Sequence, residues 1–285
     1  MEFRLHTWNC FGMGQGISAV TARRAPLAAR LRDESVSSSV AAADVVCIQE
    51  LLSSDAQVFF DGLARHGLQS TWRDNNRACF RSMTFRGTGL GIGSRLPPTE
   101  ISMKNFSGPC AGWDKLARKG SIHARFEVAP GLHVDVVTTH LQAGVDPVAR
   151  AVRLRQLDEV RDLVAAVGDE NPFIVCGDFN ICGLQSTRAD EDYCRLTAAL
   201  PGFVDLGATA DLPTLDSRAE SNAIARRYEA IEVVNRVDYV FFRPAARKSS
   251  TFAPTDIALI LDRPLAATPE LFPSDHYGLA ASFAY

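Results

Sequence analysis

Pro172-Phe173-Ile174-Val175-Cys176-Gly177-Asp178-Phe179-Asn180 is an apolar run that stops abruptly on a carboxylate and an amide. A short apolar run of this kind reads as a buried strand, and Gly177 lets the chain bend as it leaves. Asp178 and Asn180 emerge two residues apart, so their side chains can converge on one small volume. A hard oxygen ligand beside an amide suits a divalent cation, or a water poised on phosphorus. Taken alone, an Asp-x-Asn strand end also fits an ordinary Asx turn. What terminates the other strands decides between these readings.

Further strands read at residues 3–9, 44–50, 89–94, 121–128, 132–140, 236–242 and 278–284, with helices at 23–42, 53–66, 147–167 and 190–200. The third helix is the clearest, because Val148, Val152, Leu157, Val160, Val164 and Val167 form one apolar stripe. Residues 121–137 read as a hairpin turning at Pro130-Gly131. Hairpins together with crossover helices imply mixed sheets, and the lack of any linker or repeat implies one domain over residues 1–285. The first strand ends at Trp8-Asn9, the second at Gln49-Glu50, the fifth at Thr139-His140, and the last loop delivers Asp275-His276. Each of these residues has a bland reading as a turn, a cap or a solvated charge. Their conjunction points instead to strand ends aimed at one ligand.

The chain has 285 residues, 46% of them hydrophobic, with 30 Lys plus Arg against 33 Asp plus Glu and a formal net charge of -3. That balance gives no whole-protein attraction to polyanions, so a nucleic-acid enzyme needs a local basic face. The clusters Arg23, Arg24, Arg30, Arg32 and Arg73, Arg77, Arg81, Arg86 read as solvated surface. Seven Cys lack metal-ligand spacing; Cys10, Cys47 and Cys176 read as small buried hydrophobes, and Cys79 with Cys110 is a pair that only export would permit. Residues 1–6 contain no apolar h-region, so the expectation is a cytoplasmic protein, or a secreted one if the chain is processed.

In order, Trp8-Asn9, Gln49-Glu50, Thr139-His140, Gly177-Asp178-Phe179-Asn180, Arg236-Val237-Asp238-Tyr239 and Ser274-Asp275-His276 resemble the motifs of the endonuclease/exonuclease/phosphatase superfamily, essentially end to end. The resemblance implies an α/β (α+β) fold, two mixed β-sheets packed as a sandwich with helices on both outer faces, DNase I-like. It implies a hydrolase of phosphate esters that uses magnesium, with manganese or cobalt as substitutes. Glu50 is then the metal ligand, with Asn9 beside it and Asp275 as a second contact or an orienting group. Asp178 and Asn180 hold the attacking water, His276 is the general base with Asp238 fixing its tautomer, and His140 donates to a phosphoryl oxygen. The division of labour between Asp178 and His276 stays open.

Residues 88–97, Phe106 to Cys110, Lys119-Gly120, Thr139-His140-Leu141-Gln142-Ala143, Thr214-Leu215-Asp216 and Ser221-Asn222-Ala223-Ile224-Ala225 resemble neutral sphingomyelinases more closely. That narrower resemblance implies a phospholipase C-type phosphodiesterase releasing phosphocholine from sphingomyelin or a related choline phospholipid, with Lys119 and Asn222 binding substrate. Phospholipid is then the partner, with peripheral membrane contact, and nucleic acid is the secondary reading, as is a soluble inositol or sugar phosphate. Residues 251–273, where secreted members carry an aromatic membrane hairpin, contain no Trp or Tyr anchor.

Overall fold

Side chains alternate between two faces along every central strand, and that alternation builds the layers. The computed structural model describes residues 1–12, 29–74, 78–79, 84–85, 87–187, 190–218, 220–229, 231–246, 251–266, 268 and 271–285, with backbone alone at 78–79, 84–85 and 228. The first half contains β1 (Glu2–Asn9), α1 (Glu34–Val40), β2 (Val45–Gln49), α2 (Ser54–Gly62), β3 (Ser70–Arg73), β4 (Ala78–Cys79), β5 (Thr84–Phe85), β6 (Gly91–Ser94), β7 (Pro98–Asn105), β8 (Gly120–Ala129) and β9 (Leu132–His140). The second contains α3 (Pro147–Val167), β10 (Phe173–Asp178), α4 (Glu191–Ala199), β11 (Val204–Asp205), β12 (Leu215–Asp216), α5 (Ala223–Tyr228), β13 (Val234–Asn235), β14 (Asp238–Arg243), β15 (Ala253–Ile260) and β16 (Gly278–Ala284).

Two six-stranded sheets result, ordered β15-β16-β1-β2-β6-β3 and β11-β14-β10-β9-β8-β7. Both are mixed, as expected: β1 runs parallel to β2 and antiparallel to β16, while β10 runs parallel to β9 and antiparallel to β14. Phe3, Leu5, Cys47, Ile174, Cys176 and Val240 point into the gap between the sheets and form the central core. The opposite faces carry Trp8, Val46 and Ile48, which pack with residues of α1 and α2, and Phe173, Val175 and Phe241, which pack with residues of α3 and α4. The protein is therefore the two-sheet sandwich with outer helices that the motifs implied.

Helix α3 begins where Asp146 accepts from the backbone N–H groups of Val148 (3.0 Å) and Ala149 (3.1 Å), with Pro147 opening the first turn. Its stripe is shorter than expected at one end. Val152, Leu157, Val160 and Val164 are buried, whereas Val148 is 65% exposed and its neighbour Ala149 is the buried residue of the first turn.

Other expectations also need correction. Strands β3, β7 and β15 were not legible, and the helix expected at 23–42 is interrupted: among its described residues 29–30 are helical, a turn follows, and α1 covers Glu34–Val40. Among the described residues of 251–273, β15 pairs with β16 at a sheet edge, and Phe252, Leu271 and Phe272 are buried. Arg30 is not solvated surface either. It is 1% exposed and donates to the carbonyls of Cys10, Phe11 and Pro273, a use its planar five-donor guanidinium permits. Arg32 and Arg73 form ion pairs with Asp55 and Asp61, while Arg23, Arg24, Arg77, Arg81 and Arg86 lie outside the described residues. Cys10, Cys47 and Cys176 are buried as expected; Cys110 is a free thiol, and the side chain of Cys79 lies outside the described residues.

Candidate active site

The parity that fills the core also aims the polar strand ends. Continuing Phe3, Leu5 and Thr7 inward brings Asn9 to the gap; continuing Ile174 and Cys176 brings Asp178; continuing Val134, Val136 and Thr138 brings His140. Register then aligns them, because Asp178 sits opposite His140 on one side and opposite Asp238 on the other. Three residues far apart in the chain thus form one row. Gly177, just before it, is the residue the row depends on: its φ is 126°, and a Cβ there would lie 2.1 Å from the Thr139 carbonyl oxygen. Beneath the row, Gln49 Nε2 donates to Thr7 Oγ1 and Thr138 Oγ1, both at 3.1 Å, and so ties the two sheets together.

Asn9 joins the first sheet to this row. Its Nδ2 donates to Asp178 Oδ2 at 3.0 Å and to Glu50 Oε1 at 3.3 Å, while its Oδ1 accepts from the Phe11 N–H. Glu50 and Asn180 both adopt left-handed backbone, with φ of 61° and 52°. Such strain in non-glycine residues persists only where surrounding structure enforces it. Here it turns Glu50 out of the β2 alternation, and it lets the Asn180 N–H return to Asp178 Oδ1 at 2.9 Å. Asn180 Nδ2 is held by the Leu141 carbonyl.

His276 Nδ1 donates to Asp238 Oδ2 at 2.8 Å, leaving Nε2 4.0 Å from Asp178 Oδ2; His140 Nε2 lies 3.4 Å from the same oxygen. Lys119 is buried, 3.4 Å from Asp114. Asn9, Glu50, His140, Asp178, Asn180, Asp238 and His276 therefore form one cluster of short contacts, with Lys119 and Asp275 near enough to Glu50 to act on its charge. Asn222 is wholly engaged with the protein: its Oδ1 caps α5, and its Nδ2 donates to the carbonyls of Ser274 and Asp275. It sets the loop carrying His276 and does not face a ligand.

Residues without an assigned role in the sequence complete the support. Ser274 Oγ accepts from the His276 N–H and contacts the Asn9 carbonyl at 2.7 Å. Thr214 Oγ1 accepts from the Val237 and Asp238 N–H groups. Arg236 pairs through both terminal nitrogens with Asp205 and donates to Gly183 O, while Tyr239 Oη donates to Ile181 O; together they fix the chain leaving Asn180. The motif spelling Arg-Val-Asp-Tyr was the available signal for these last contacts.

The site's electrostatics favour positive charge. Burial pushes the Glu50 carboxyl up to about 7, reinforced by Asp275 and opposed by Lys119. Burial and then Asp238 push Asp178 up to about 6. Burial alone would lower the His276 imidazole, but Asp238, Asp275 and Asp178 hold it well above its ordinary value. Burial, with Lys119 and His276, holds His140 well below. Glu50 Oε2 is buried with no hydrogen-bond partner, as is Asp238 Oδ1.

The orphaned Glu50 oxygen, with the carboxylates of Asp178 and Asp275 close by, offers the hard oxygen donors that fit a divalent cation, while Asn9 holds Glu50 and Asp178 through its Nδ2. Asp178, Asp238 and His276 also bring possible ligand atoms within 4.8 Å of one another, but Asp238 and His276 already bind each other.

The sequence matches the endonuclease/exonuclease/phosphatase family over residues 6–276. The chain belongs to that family, whose members hydrolyse phosphate esters with divalent metal ions. A search of the curated proteins finds none that matches.

Among solved structures, a beta toxin from Staphylococcus aureus superimposes with a TM-score of 0.74 at 18% identity, over 98% of this chain and 99% of that one. A mutant of that toxin with bound magnesium ions gives 0.69 at 18% identity, covering 99% of each. TDP2 from D. rerio, complexed with a single-strand DNA product, gives 0.73 at 18%, covering 100% and 99%. Sphingomyelinase C from Streptomyces griseocarneus gives 0.71 at 18%, covering 99% of each. These likenesses establish the fold.

Proposed function

We propose that this protein is a magnesium-dependent phosphodiesterase of the phospholipase C type, cleaving sphingomyelin or a related choline phospholipid to phosphocholine. The observation that carries the phosphodiesterase reading is the row His140–Asp178–Asp238 with His276 bonded to its end and Glu50 beside it. Glu50, with Asn9 and Asp275 beside it, would hold a divalent cation, which when bound would offset charge on the phosphoryl and leaving oxygens.

The chain's own residues do the rest. His276 takes a proton from the attacking water at Nε2 while Asp238 holds the opposite nitrogen. Of the carboxylates that hold His276 up, Asp238 stays bonded to Nδ1, whereas Asp275 is one whose charge a cation held beside Glu50 would offset, which would bring the imidazole closer to its ordinary value. Asp178 and Asn180 orient the water; neutral His140 and cationic Lys119 meet the phosphoryl oxygens as charge develops.

The choice of lipid is supported by the sphingomyelinase resemblance around Thr139–Ala143 and by the structural likeness to sphingomyelinase C. The likeness to TDP2 supports a nuclease as the second reading. Parallel assays on sphingomyelin vesicles, phosphatidylcholine, plasmid DNA and inositol phosphates, each with magnesium and with chelator, separate them. The expected result is magnesium-dependent release of phosphocholine; hydrolysis of DNA alone would refute the lipid reading.

A further inference from the structure

Seven large apolar side chains stand mostly exposed among the described residues, and four cluster in segments beside the site: Trp113 (79%), Val145 (100%), Val148 (65%) and Ile231 (73%). Hydrogen bonds sew three of these segments into one platform. Gln142 Oε1 accepts from the Ala111 N–H at 2.7 Å, and Asp114 Oδ2 accepts from Gln142 Nε2 and the Ala143 N–H at 2.9 and 2.8 Å. Arg153 Nη1 donates to the carbonyls of Gln142 and Gly144, both at 2.8 Å, and Ala111 packs on Ala149 and Val152 of α3. Trp113, Val145 and Val148 therefore project from a braced surface, not from a loose loop.

Two features say what covers it. Exposed Lys115 and Arg118 flank Trp113 and, with Lys119, line a cavity of about 260 Å³ beside the site. Val145 and Ile231 line a groove of about 1080 Å³ that also contains Asn180. An exposed indole beside Lys115 and Arg118, with aliphatic knobs along a groove whose Glu191 and Asp192 are paired with Arg150, matches the chemistry of a bilayer's headgroup layer. Two valines offer nothing to a nucleobase or a phosphodiester backbone.

We infer that this platform docks on a phospholipid bilayer, with Trp113, Val145 and Val148 entering the interface and Lys115 and Arg118 meeting lipid phosphates, so that the groove opens onto the membrane. The inference rests on the lipid reading of the site. It gives a membrane contact to a chain whose residues 251–273 contain no Trp or Tyr anchor.

The test is sedimentation with vesicles of phosphatidylcholine and sphingomyelin, with and without phosphatidylserine, in chelator so that no lipid is cleaved. Of the three tryptophans, Trp8 is buried and Trp72 half-buried, so a blue shift of emission on binding reports Trp113. The expected result is such a shift, with partitioning lowered roughly tenfold or more in Trp113→Ala combined with Val148→Asp. An acid at position 148 suits the first turn of a helix, so this variant should fold. Its hydrolysis of bis(p-nitrophenyl) phosphate with magnesium should match that of the parent.

Absence of the blue shift, or unchanged partitioning in the double variant, would overturn the inference. So would binding of a single-stranded oligonucleotide that displaces vesicles and is lost in the same variant. Vesicle binding through these residues in an enzyme that cleaves only DNA would support the docking surface while refuting the lipid substrate. Sphingomyelin cleavage with no such binding would do the reverse.

Discussion

His276 and Asp238 close at 2.8 Å at the end of the second sheet, and His123 and Asp135 close at 2.7 Å on the outer face of the same sheet. Residue types and burial are alike, but the surroundings differ. Asp135 Oδ1 also receives Arg125 Nε at 2.9 Å, and its Oδ2 receives Asn171 Nδ2 at 2.9 Å. Burial would raise that carboxyl, but His123, Asn171 and Arg125 together hold it below the usual range. Asp238, by contrast, keeps an unpaired oxygen, and a second carboxylate, Asp178, faces the free nitrogen of His276. A saturated pair of this kind braces a sheet, whereas an open one can exchange a proton.

The largest effects should separate the pairs. His276→Ala is expected to lower turnover roughly a hundredfold or more with folding intact. His123→Ala should lower the melting temperature and leave turnover per folded molecule nearly unchanged. Rates and thermal scans on both variants check this, and comparable rate losses would erase the distinction.

Next, Asp238→Asn removes the carboxylate that raises His276, so turnover falls and the acid limb of the pH–rate profile moves to lower pH. Asp135→Asn should leave the profile in place while costing about 1–3 kcal/mol of stability through the hydrogen bonds to His123, Arg125 and Asn171 that it weakens.

A smaller effect concerns the cation. Glu50 and Asp178 keep their protons to about 7 and about 6 in the folded protein, against ordinary values of 4.5 and 3.8. The metal-free fold therefore binds more protons than the unfolded chain, and this contribution is lost as pH rises from about 4 through 7. Magnesium, which takes the ionised forms, should raise the melting temperature more at pH 8 than at pH 5. Equal shifts at both would contradict the assignment.

The smallest effect falls on another buried histidine, one whose ring meets a backbone carbonyl. Burial pushes His6 down to about 4, and its Nδ1 meets the Val40 carbonyl at 3.0 Å. Its folded value lies below the unfolded 6.5, so stability is present above pH 6.5 and is lost as pH falls toward 4. His6→Gln should flatten that slope and leave neutral-pH turnover unchanged, as paired urea titrations and rate assays would show.

Much of the site was legible because a strand's period of two carries a buried face directly into a polar end. Asp178, His140 and Asn9 needed nothing beyond that periodicity. Edge strands escaped because one side of the ladder is unpaired and the alternation is short: in β7 only Ile101 and Met103 alternate with exposed Glu100, Ser102 and Lys104. Arg30 escaped for the opposite reason: its burial depends on carbonyls at Cys10, Phe11 and Pro273, and no local pattern announces a partner 243 residues away. Asn222 read as a substrate contact because a cap and a ligand call for the same amide.

The most direct test is a magnesium titration of diester hydrolysis by the parent and by Glu50→Gln, with thermal scans showing that both fold. The parent should be silent in chelator and saturate with magnesium, and the variant should need roughly tenfold more cation or more, since a ligand's charge is gone. Full activity in chelator, or an unshifted titration in the variant, would mean that the converging carboxylates hold no working cation.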